Sequence, residues 1–397
     1  MKYEQWISYR YLTASKTRFL KFLNVISIAG VAIGVAALIV VTAVMTGFGH
    51  NLQEKIIGTT PHLMVEKETG VNDYDKVVSK IEEVAGVRAA SPYIQGNVFL
   101  EQSGKAMGLV LRGVVPETEK KITKVKEYLT EGKWENLQDN SICIGSELAG
   151  YFGYRVGDEI TVISPGSGIS GQSWRYKLKI VGIFTTGMAD FDMNLALVNI
   201  TTGQKIFGAA ANYASGIGVK TSDPKQADRI KKAIYEKIGY SFLVRTWIDM
   251  NRSLFEALFL EKWGLFIVLT LMVLVASFNI ISTLVVTVSS KIHDIGILQS
   301  IGLSQASIRR IFTKQGLWIG FLGTFWGLVS GFGICYFLRH YIKVPAQIYS
   351  IDHVPVEVKM TDVAAIIIAA VIISFIATIY PAAKAAKLQP VEALRYE

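Results

Sequence analysis

The side chains that most often carry chemistry are few in this chain and poorly spaced for it. Of the five histidines, His50, His62, His293, His340 and His353, no two stand at metal-ligand spacing, and no metal is assigned. The two cysteines, Cys143 and Cys335, are too few for a disulfide framework. Gly166-Ser167-Gly168-Ile169-Ser170-Gly171 fits G-x-G-x-x-G, which grips a pyrophosphate only where a strand passes into a helix. The stretch that follows, Tyr176 to Phe184, reads as a strand, so these glycines, with Pro165, are expected in an exposed hairpin loop from Ser164 to Ser173. No G-x-x-x-x-G-K-[ST] occurs, hence no phosphate-cradling loop of that kind. No nucleophile and base pairing supports hydrolysis, no catalytic residue is assigned, and a non-catalytic chain is expected. Asn199-Ile-Thr201 and Asn251-Arg-Ser253 match the glycosylation pattern and carry no other mark.

The elements around these residues explain the poverty. Hydrophobic residues make up 51% of the 397 and charged residues 18%, against about 25% charged in a soluble domain. Four stretches lack Asp, Glu, Lys and Arg and are long enough to span a bilayer, which takes about 20 residues. They are residues 22–48, 263–290, 315–338 and 363–383. The first far exceeds the 7 to 15 apolar residues of a signal peptide and reads as a retained anchor. Between the first two, residues 49–262 alternate strand-like runs with amphipathic helices, as a soluble α+β domain does. Strands are expected at His62–Glu66, Val98–Gln102, Met107–Gly113, Glu159–Ile163, Tyr176–Phe184, Leu195–Val198 and Gly216–Lys220. Helices are expected at Tyr74–Val84, Glu117–Tyr128 and Pro224–Ile238, with a long one entering the second span from about Ile248. The resulting fold class is a membrane protein with four transmembrane α-helices and a large extracytoplasmic α+β domain inserted between helices 1 and 2.

Charge sets the orientation. The net +9 would raise the question of nucleic acid if it were gathered on a soluble domain. Residues 1–21, 291–314 and 384–397 together hold 12 basic and 4 acidic residues, whereas residues 339–362 are neutral and the 49–262 insert carries 26 basic against 25 acidic. By the positive-inside rule both termini and the 291–314 segment are cytoplasmic, and the insert and the short 339–362 loop lie outside. The excess is a topology signal with contacts to lipid headgroups, and no nucleic-acid partner is expected. The N-terminal 21 residues read as a cytoplasmic amphipathic segment and residues 384–397 as a cytoplasmic tail.

Residues 291–314 form more than a connector. Ile295, Leu298, Ile301 and, after Gly302, Ile308 and Phe312 recur at roughly helical spacing, flanked by Lys291, Asp294, Arg309 and Arg310. The pattern suits a surface-lying interfacial helix and equally a coupling helix seated in a partner's groove. In the third span Gly316, Gly320, Gly323, Gly327 and Gly331 make a small-residue face for close helix contact within the chain, while Gly30 and Gly34 form a GxxxG open to a subunit interface.

Several runs carry a resemblance. Arg10-Tyr-Leu, Ile26-Ser-Ile-Ala-Gly-Val-Ala-Ile-Gly-Val-Ala-Ala-Leu-Ile-Val and Val44-Met-Thr-Gly-Phe48 resemble the amino end of the LolC/LolE family, membrane subunits of the lipoprotein-releasing ABC transporter. Phe278-Asn-Ile-Ile-Ser282, Asp294-Ile-Gly-Ile-Leu-Gln-Ser-Ile-Gly302, Tyr380-Pro-Ala-Ala-Lys-Ala-Ala386 and Pro390-Val-Glu-Ala-Leu-Arg-Tyr-Glu397 extend it over the whole chain. The resemblance implies a permease of the type shared with MacB-like and FtsX-like proteins, in the bacterial inner membrane with the insert as a MacB-like periplasmic core domain. It implies a LolD-like ATPase dimer carrying ATP and Mg, with no cofactor bound by this chain. The other implied partners are a second permease, identical or paralogous, a lipoprotein substrate and a LolA-like periplasmic carrier. Asp294, Ile295, Ile297, Leu298, Ile301 and Gly302 then fall at the ATPase-coupling helix.

By the same resemblance the acyl chains enter a cavity between the first and second spans of two subunits. The matching positions are Met45, Phe48, Phe255, Leu258, Phe259 and Trp263, which from the residues alone also suit interfacial packing, with Trp263 in the aromatic belt. The 164–171 run, Ser164-Pro165-Gly166-Ser167-Gly168-Ile169-Ser170-Gly171, matches the carrier-binding hook loop. The alternative on the same fold is a MacB-like exporter or an FtsX-like regulator of an external hydrolase. MacB-like proteins usually carry the ATPase in the same chain, and FtsX-like ones a shorter external domain.

Overall fold

A computed structural model of the chain describes residues 3–13, 18–102, 105–164, 174–342 and 354–387. In chain order the helices and strands are α1 (Tyr3–Thr13), α2 (Arg18–Thr59), β1 (Leu63–Asn72), α3 (Tyr74–Glu82), β2 (Val87–Gln102), β3 (Lys105–Val114), α4 (Pro116–Ile122), β4 (Leu129–Gly132), β5 (Ser141–Gly145), α5 (Ser146–Phe152), β6 (Glu159–Ser164), β7 (Trp174–Phe184), α6 (Ala189–Asn194), β8 (Leu195–Asn199), α7 (Ile200–Phe207), β9 (Tyr213–Thr221), α8 (Ala227–Ile238), β10 (Leu243–Thr246), α9 (Trp247–Met250), α10 (Arg252–Ser290), α11 (Ile292–Ser300), α12 (Gln305–Tyr341) and α13 (Met360–Ala386). They divide into a helical unit, from Met1–Gly49, Ala257–Lys343 and His353–Glu397, and an α/β unit built on His50–Glu256.

Among the described residues four helices, α2, α10, α12 and α13, are long and apolar enough to cross a membrane. Each outruns its charge-free stretch. The 42 residues of α2 extend about 63 Å at 1.5 Å per residue, twice the ~30 Å hydrocarbon core, so the helix continues well past Phe48.

In the helical unit the glycines of α12 do what their spacing suggested. A Cβ on Gly316 would lie 1.8 Å from Thr378 Cγ2, and one on Gly320 2.3 Å from Ser374 Oγ, so these two let α13 close in. Gly323, Gly327 and Gly331 admit Val31, Val35 and Ala36 with Ile39 of α2 in the same way. Gly30 faces the Asn279 amide of α10, whereas Gly34 has open space at its Cβ. A polar seam stitches α2 to α10: the Ser27 hydroxyl donates to the Asn279 carbonyl at 3.4 Å and is hydrogen-bonded to the Thr283 hydroxyl. Such small and hydroxylated contacts hold helices together where lipid removes the hydrophobic drive.

The α/β unit is built on one ten-stranded sheet that bends back on itself. Its path runs β10-β1-β9-β2-β3-β8-β5-β7-β4, with β6 bridging β2 and β7. Strand β2 is shared: Val87–Tyr93 pairs with β9, and Phe99–Glu101 pairs along the same edge with β6. The other edge of β2 takes β3 antiparallel, then come β8 in parallel, β5 antiparallel and β7 in parallel, and β7 returns to β6 antiparallel. These pairings close six strands into a ring. The alternate residues Val98, Leu100, Leu109, Leu111, Ile142, Ile144, Ile160, Val162, Leu178, Ile180, Ala196 and Val198 are buried in its interior, the inward set of a small barrel. Strands β1, β9 and β10 carry α3, α8 and α9 over a second core, in which Ile81 is fully buried and Val77, Val78 and Val84 complete the expected stripe.

Local chemistry departs from the sequence expectation at three places. The helix expected from Glu117 to Tyr128 stops at Ile122: Thr123 is extended, ψ 166°, and the next amide, Lys124, donates to the Gly58 carbonyl at 2.7 Å. The helix expected to enter the second span from about Ile248 is interrupted at Asn251. Thr246 and Asp249 form a capping box that defines the separate turn α9. Strands β4, β5 and β10 are four or five residues long and were not expected, and β5 (Ser-Ile-Cys-Ile-Gly) is buried on both faces. The lower end of α2 is tied into this unit by Lys55, whose ammonium donates to the Gly187 carbonyl at 2.6 Å.

Candidate functional site

The 291–314 segment folds as α11, a turn, and the first turns of α12. Gly302 makes the turn, at φ 101°, and the Ser304 hydroxyl caps α12 by accepting from the Ser307 amide. Ile295 is 1% exposed and packs with Ile308, Phe312, Val288, Ala382 and Ala385, so this member of the predicted docking set belongs to the bundle's own core. Ile297 and Ile301 point the other way, Ile301 at 74% exposure, and Leu298 is half-buried. Asp294 is paired with Lys291 at 2.7 Å. The predicted coupling residues thus split between an anchoring face and a presented face.

The helix α1, part of the N-terminal stretch that the sequence marked as a basic, amphipathic segment, lies against this segment. Glu4, 5% exposed, accepts a hydrogen bond from Lys314 Nζ at 2.6 Å and pairs with Arg310 at 3.6 Å. The Lys314 hydrogen bond, aided by the charges of Lys314 and Arg310, holds its carboxyl below the usual glutamate range. Tyr3 and Ser307 hydroxyls meet at 3.2 Å, the Tyr9 and Trp318 rings meet at 6.2 Å, and Lys291 sits over the Tyr11 ring. Burial, then Asp294's charge, pushes the Tyr11 hydroxyl up to about 12. Trp6, Arg10 and Tyr11 face Asp294, Ile297 and Leu298 across an open cavity of about 320 Å³.

At the far ends of the first two spans the predicted cavity residues separate. Phe259 and Trp263 stack edge-to-face at 6.2 Å on α10, and Trp263 meets Phe266 at 5.7 Å, giving an exposed aromatic row that Leu260 flanks. Leu258 is half-buried beside it. Phe255 instead packs on Trp247 at 5.3 Å in the core of the α/β unit. Met45 and Phe48 are half-buried on α2. Leu260 and Phe266 were not singled out from the sequence, although Phe266 continues the helical spacing from Phe259 and Trp263.

Of the expected hook loop, Ser164 is the last residue of β6, buried and paired with Trp174 of β7 rather than exposed. Pro165, Gly166, Ser167, Gly168, Ile169, Ser170 and Gly171 lie outside the described residues. The antiparallel β6–β7 pairing makes the connection strand-to-strand, which removes the dinucleotide reading of its glycines. Among the described residues no group of three or more His, Cys, Asp or Glu side chains could hold a metal.

Comparison with known proteins covers both units. The MacB-like periplasmic core domain family matches residues 25–237 and the FtsX-like permease C-terminal family residues 266–390. The lipoprotein-releasing system transmembrane protein LolC of Neisseria meningitidis is 36% identical over 412 aligned positions, covering 99% of each chain. LolC of Xylella fastidiosa is 31% identical and LolE of Haemophilus influenzae 26%, each over 98% of both chains. With these two family matches in this order and full-length identity above 30%, the chain belongs to the LolC/LolE family of lipoprotein-releasing system transmembrane proteins.

Proposed function

We propose that this chain is a permease subunit of an ABC transporter that extracts lipoproteins from the outer leaflet of the inner membrane and hands them to a periplasmic carrier. The observation that carries the reading is the full-length identity to lipoprotein-releasing transmembrane proteins, joined to a sequence with no phosphate-cradling loop. The work of extraction then comes from a separate chain, a LolD-like ATPase dimer that holds ATP and Mg, while this chain is non-catalytic and transmits motion. A second permease, identical or paralogous, completes the membrane part, and a LolA-like carrier receives the product.

In this reading spans 22–48, 263–290, 315–338 and 363–383 cross the inner membrane with both termini and α11 cytoplasmic. The 49–262 domain, inserted between the first two spans, and the 339–362 loop are periplasmic. The near-neutral insert and the basic flanks support that orientation. The exposed row Phe259, Trp263 and Phe266, with Leu258, Met45 and Phe48, offers apolar surface to acyl chains, whose burial is worth about 0.8 kcal/mol per CH₂. Ile297, Leu298 and Ile301 face the ATPase, and the residues that join β6 to β7 offer a contact for the carrier. The test is reconstitution with the ATPase in proteoliposomes bearing a diacylated or triacylated lipoprotein. ATP-dependent handover to a soluble carrier is expected. ATP turnover indifferent to lipoprotein, with no handover, would overturn the reading.

A further inference from the structure

We infer that α1 forms the second wall of the ATPase-docking groove, so that the partner inserts a side chain between Trp6 and Arg10 of α1 and Ile297 and Leu298 of α11; this rests on the function proposed above.

The groove is a property of two elements held apart at a fixed spacing. On one side α11 is anchored by Ile295 in the bundle core, which leaves Ile297 and Ile301 facing out. On the other, α1 is clamped onto α12 by the buried Glu4 carboxylate between Lys314 and Arg310, by Tyr3 on Ser307 and by the Tyr9–Trp318 ring contact. A carboxylate nearly removed from water and held by two cations fixes a helix position more firmly than an exposed ion pair, because breaking it strands a charge. The clamp leaves Trp6 53% exposed at the groove's mouth, with the Arg10 guanidinium 4.9 Å from its ring centre.

The occupant follows from size and charge. About 320 Å³ is at the small end of ligand pockets and takes an inserted side chain rather than a whole helix. The rim carries both signs: exposed Arg10, which meets no carboxylate among the described residues, and Asp294, already paired with Lys291. With Asp294 paired to Lys291, the charge left open on the rim is that of Arg10, and the groove is continuous with the outward face of α11 that the reading above gives to the ATPase; an apolar side chain beside an acidic one, presented by the ATPase, suits the walls and Arg10 together.

The experiment is co-purification of the full chain with the ATPase of its own releasing system, comparing wild type, Trp6→Asp, Arg10→Glu and Ile301→Asp. Thermal stability of the purified permease serves as the folding control. Trp6→Asp and Ile301→Asp are each expected to reduce ATPase recovery at least tenfold with the permease's own melting unchanged, and Arg10→Glu to reduce it less and in a salt-dependent way. Loss with Ile301→Asp alone overturns the two-walled groove and leaves ATPase docking on α11 intact. Loss with Trp6→Asp alone places the dock on α1 and also overturns it. No loss with either removes the docking reading itself. ATPase recovery unchanged by Trp6→Asp while affinity for anionic vesicles falls identifies the bilayer as the occupant and rejects the inference.

Discussion

Glu4 of α1 and Lys314 of α12, 310 residues apart in sequence, meet at 2.6 Å, and the carboxylate is all but removed from solvent. Substituting Glu4→Gln keeps the shape and removes the charge, leaving Lys314 and Arg310 facing a neutral amide. The expected cost is about 1–2 kcal/mol, in the range of hydrogen bonds to charged groups. Because the folded carboxyl is held below its ordinary 4.5, the contribution is full above that pH and is lost as pH falls through the depressed value. A melting curve of Glu4→Gln should therefore lie below wild type at pH 7 and converge with it in strong acid. Equal melting at pH 7 would show that the clamp does not hold α1.

The close approach of α12 to α13 should be sensitive to a single methyl. A Cβ at Gly316 falls 1.8 Å from Thr378 Cγ2, a distance that no rotamer change at position 316 relieves. Gly316→Ala is expected to destabilise the bundle by about 1–3 kcal/mol, the cost of overpacking. Thr378→Ala in the same chain removes the obstructing methyl and should recover much of the loss, although Thr378 Cβ itself would remain 2.9 Å away. Gly331→Ala, whose nearest neighbour stands at 3.2 Å, should cost less than Gly316→Ala; the reverse order in detergent melting would contradict this packing.

His62 supplies a pH test in the α/β unit. It is buried, its Nδ1 accepts from the Thr221 amide at 3.2 Å and lies 2.7 Å from the Thr221 hydroxyl, and burial together with Lys220 lowers its pKa to about 4. A folded value below the unfolded 6.5 means that the unfolded chain binds the extra proton first. Stability is then complete above about pH 6.5 and falls as the pH drops toward 4, by about 2–3 kcal/mol over that window. His62→Asn keeps an acceptor for the Thr221 amide and cannot titrate. The difference in melting between wild type and His62→Asn should shift by that amount between pH 7.5 and 4.5; a constant difference would refute the assignment.

The membrane part was legible because its signal is compositional: charge cannot sit in hydrocarbon, so four uncharged runs mark α2, α10, α12 and α13 whatever they pack against. Their true ends were not, since α2 and α10 continue past the uncharged runs, where the charge rule no longer speaks. The ring of six strands was hidden for another reason. β5 is five residues buried on both faces, and the closure depends on β6 reaching β2 at Phe99–Glu101, a pairing that no local pattern announces. Spacing placed Ile295, Leu298 and Ile301 on one helix, but spacing could not say that Ile295 turns inward while Ile301 turns outward. The part played by α1 escaped altogether, because Glu4 looked like one acid among five basic residues until Lys314 and Arg310 closed around it.

Phe259 offers the sharpest functional test. The residue is 63% exposed, with its ring against the edge of Trp263 at 6.2 Å, so an aspartate there removes little packing from the chain itself. If the row Phe259, Trp263 and Phe266 receives acyl chains, a carboxylate at its outer end charges the surface that must take them from lipid. Phe259→Asp should then abolish ATP-dependent lipoprotein handover in proteoliposomes while ATPase co-purification and basal ATP turnover stay at wild-type levels. Phe259→Leu, apolar but smaller, should retain most of the handover, since acyl chains need apolar area and not a ring. Trp263→Asp should resemble Phe259→Asp, whereas Phe255→Asp should instead unfold the α/β core around Trp247 and lower melting. Normal handover by Phe259→Asp would remove this face from the lipoprotein's path.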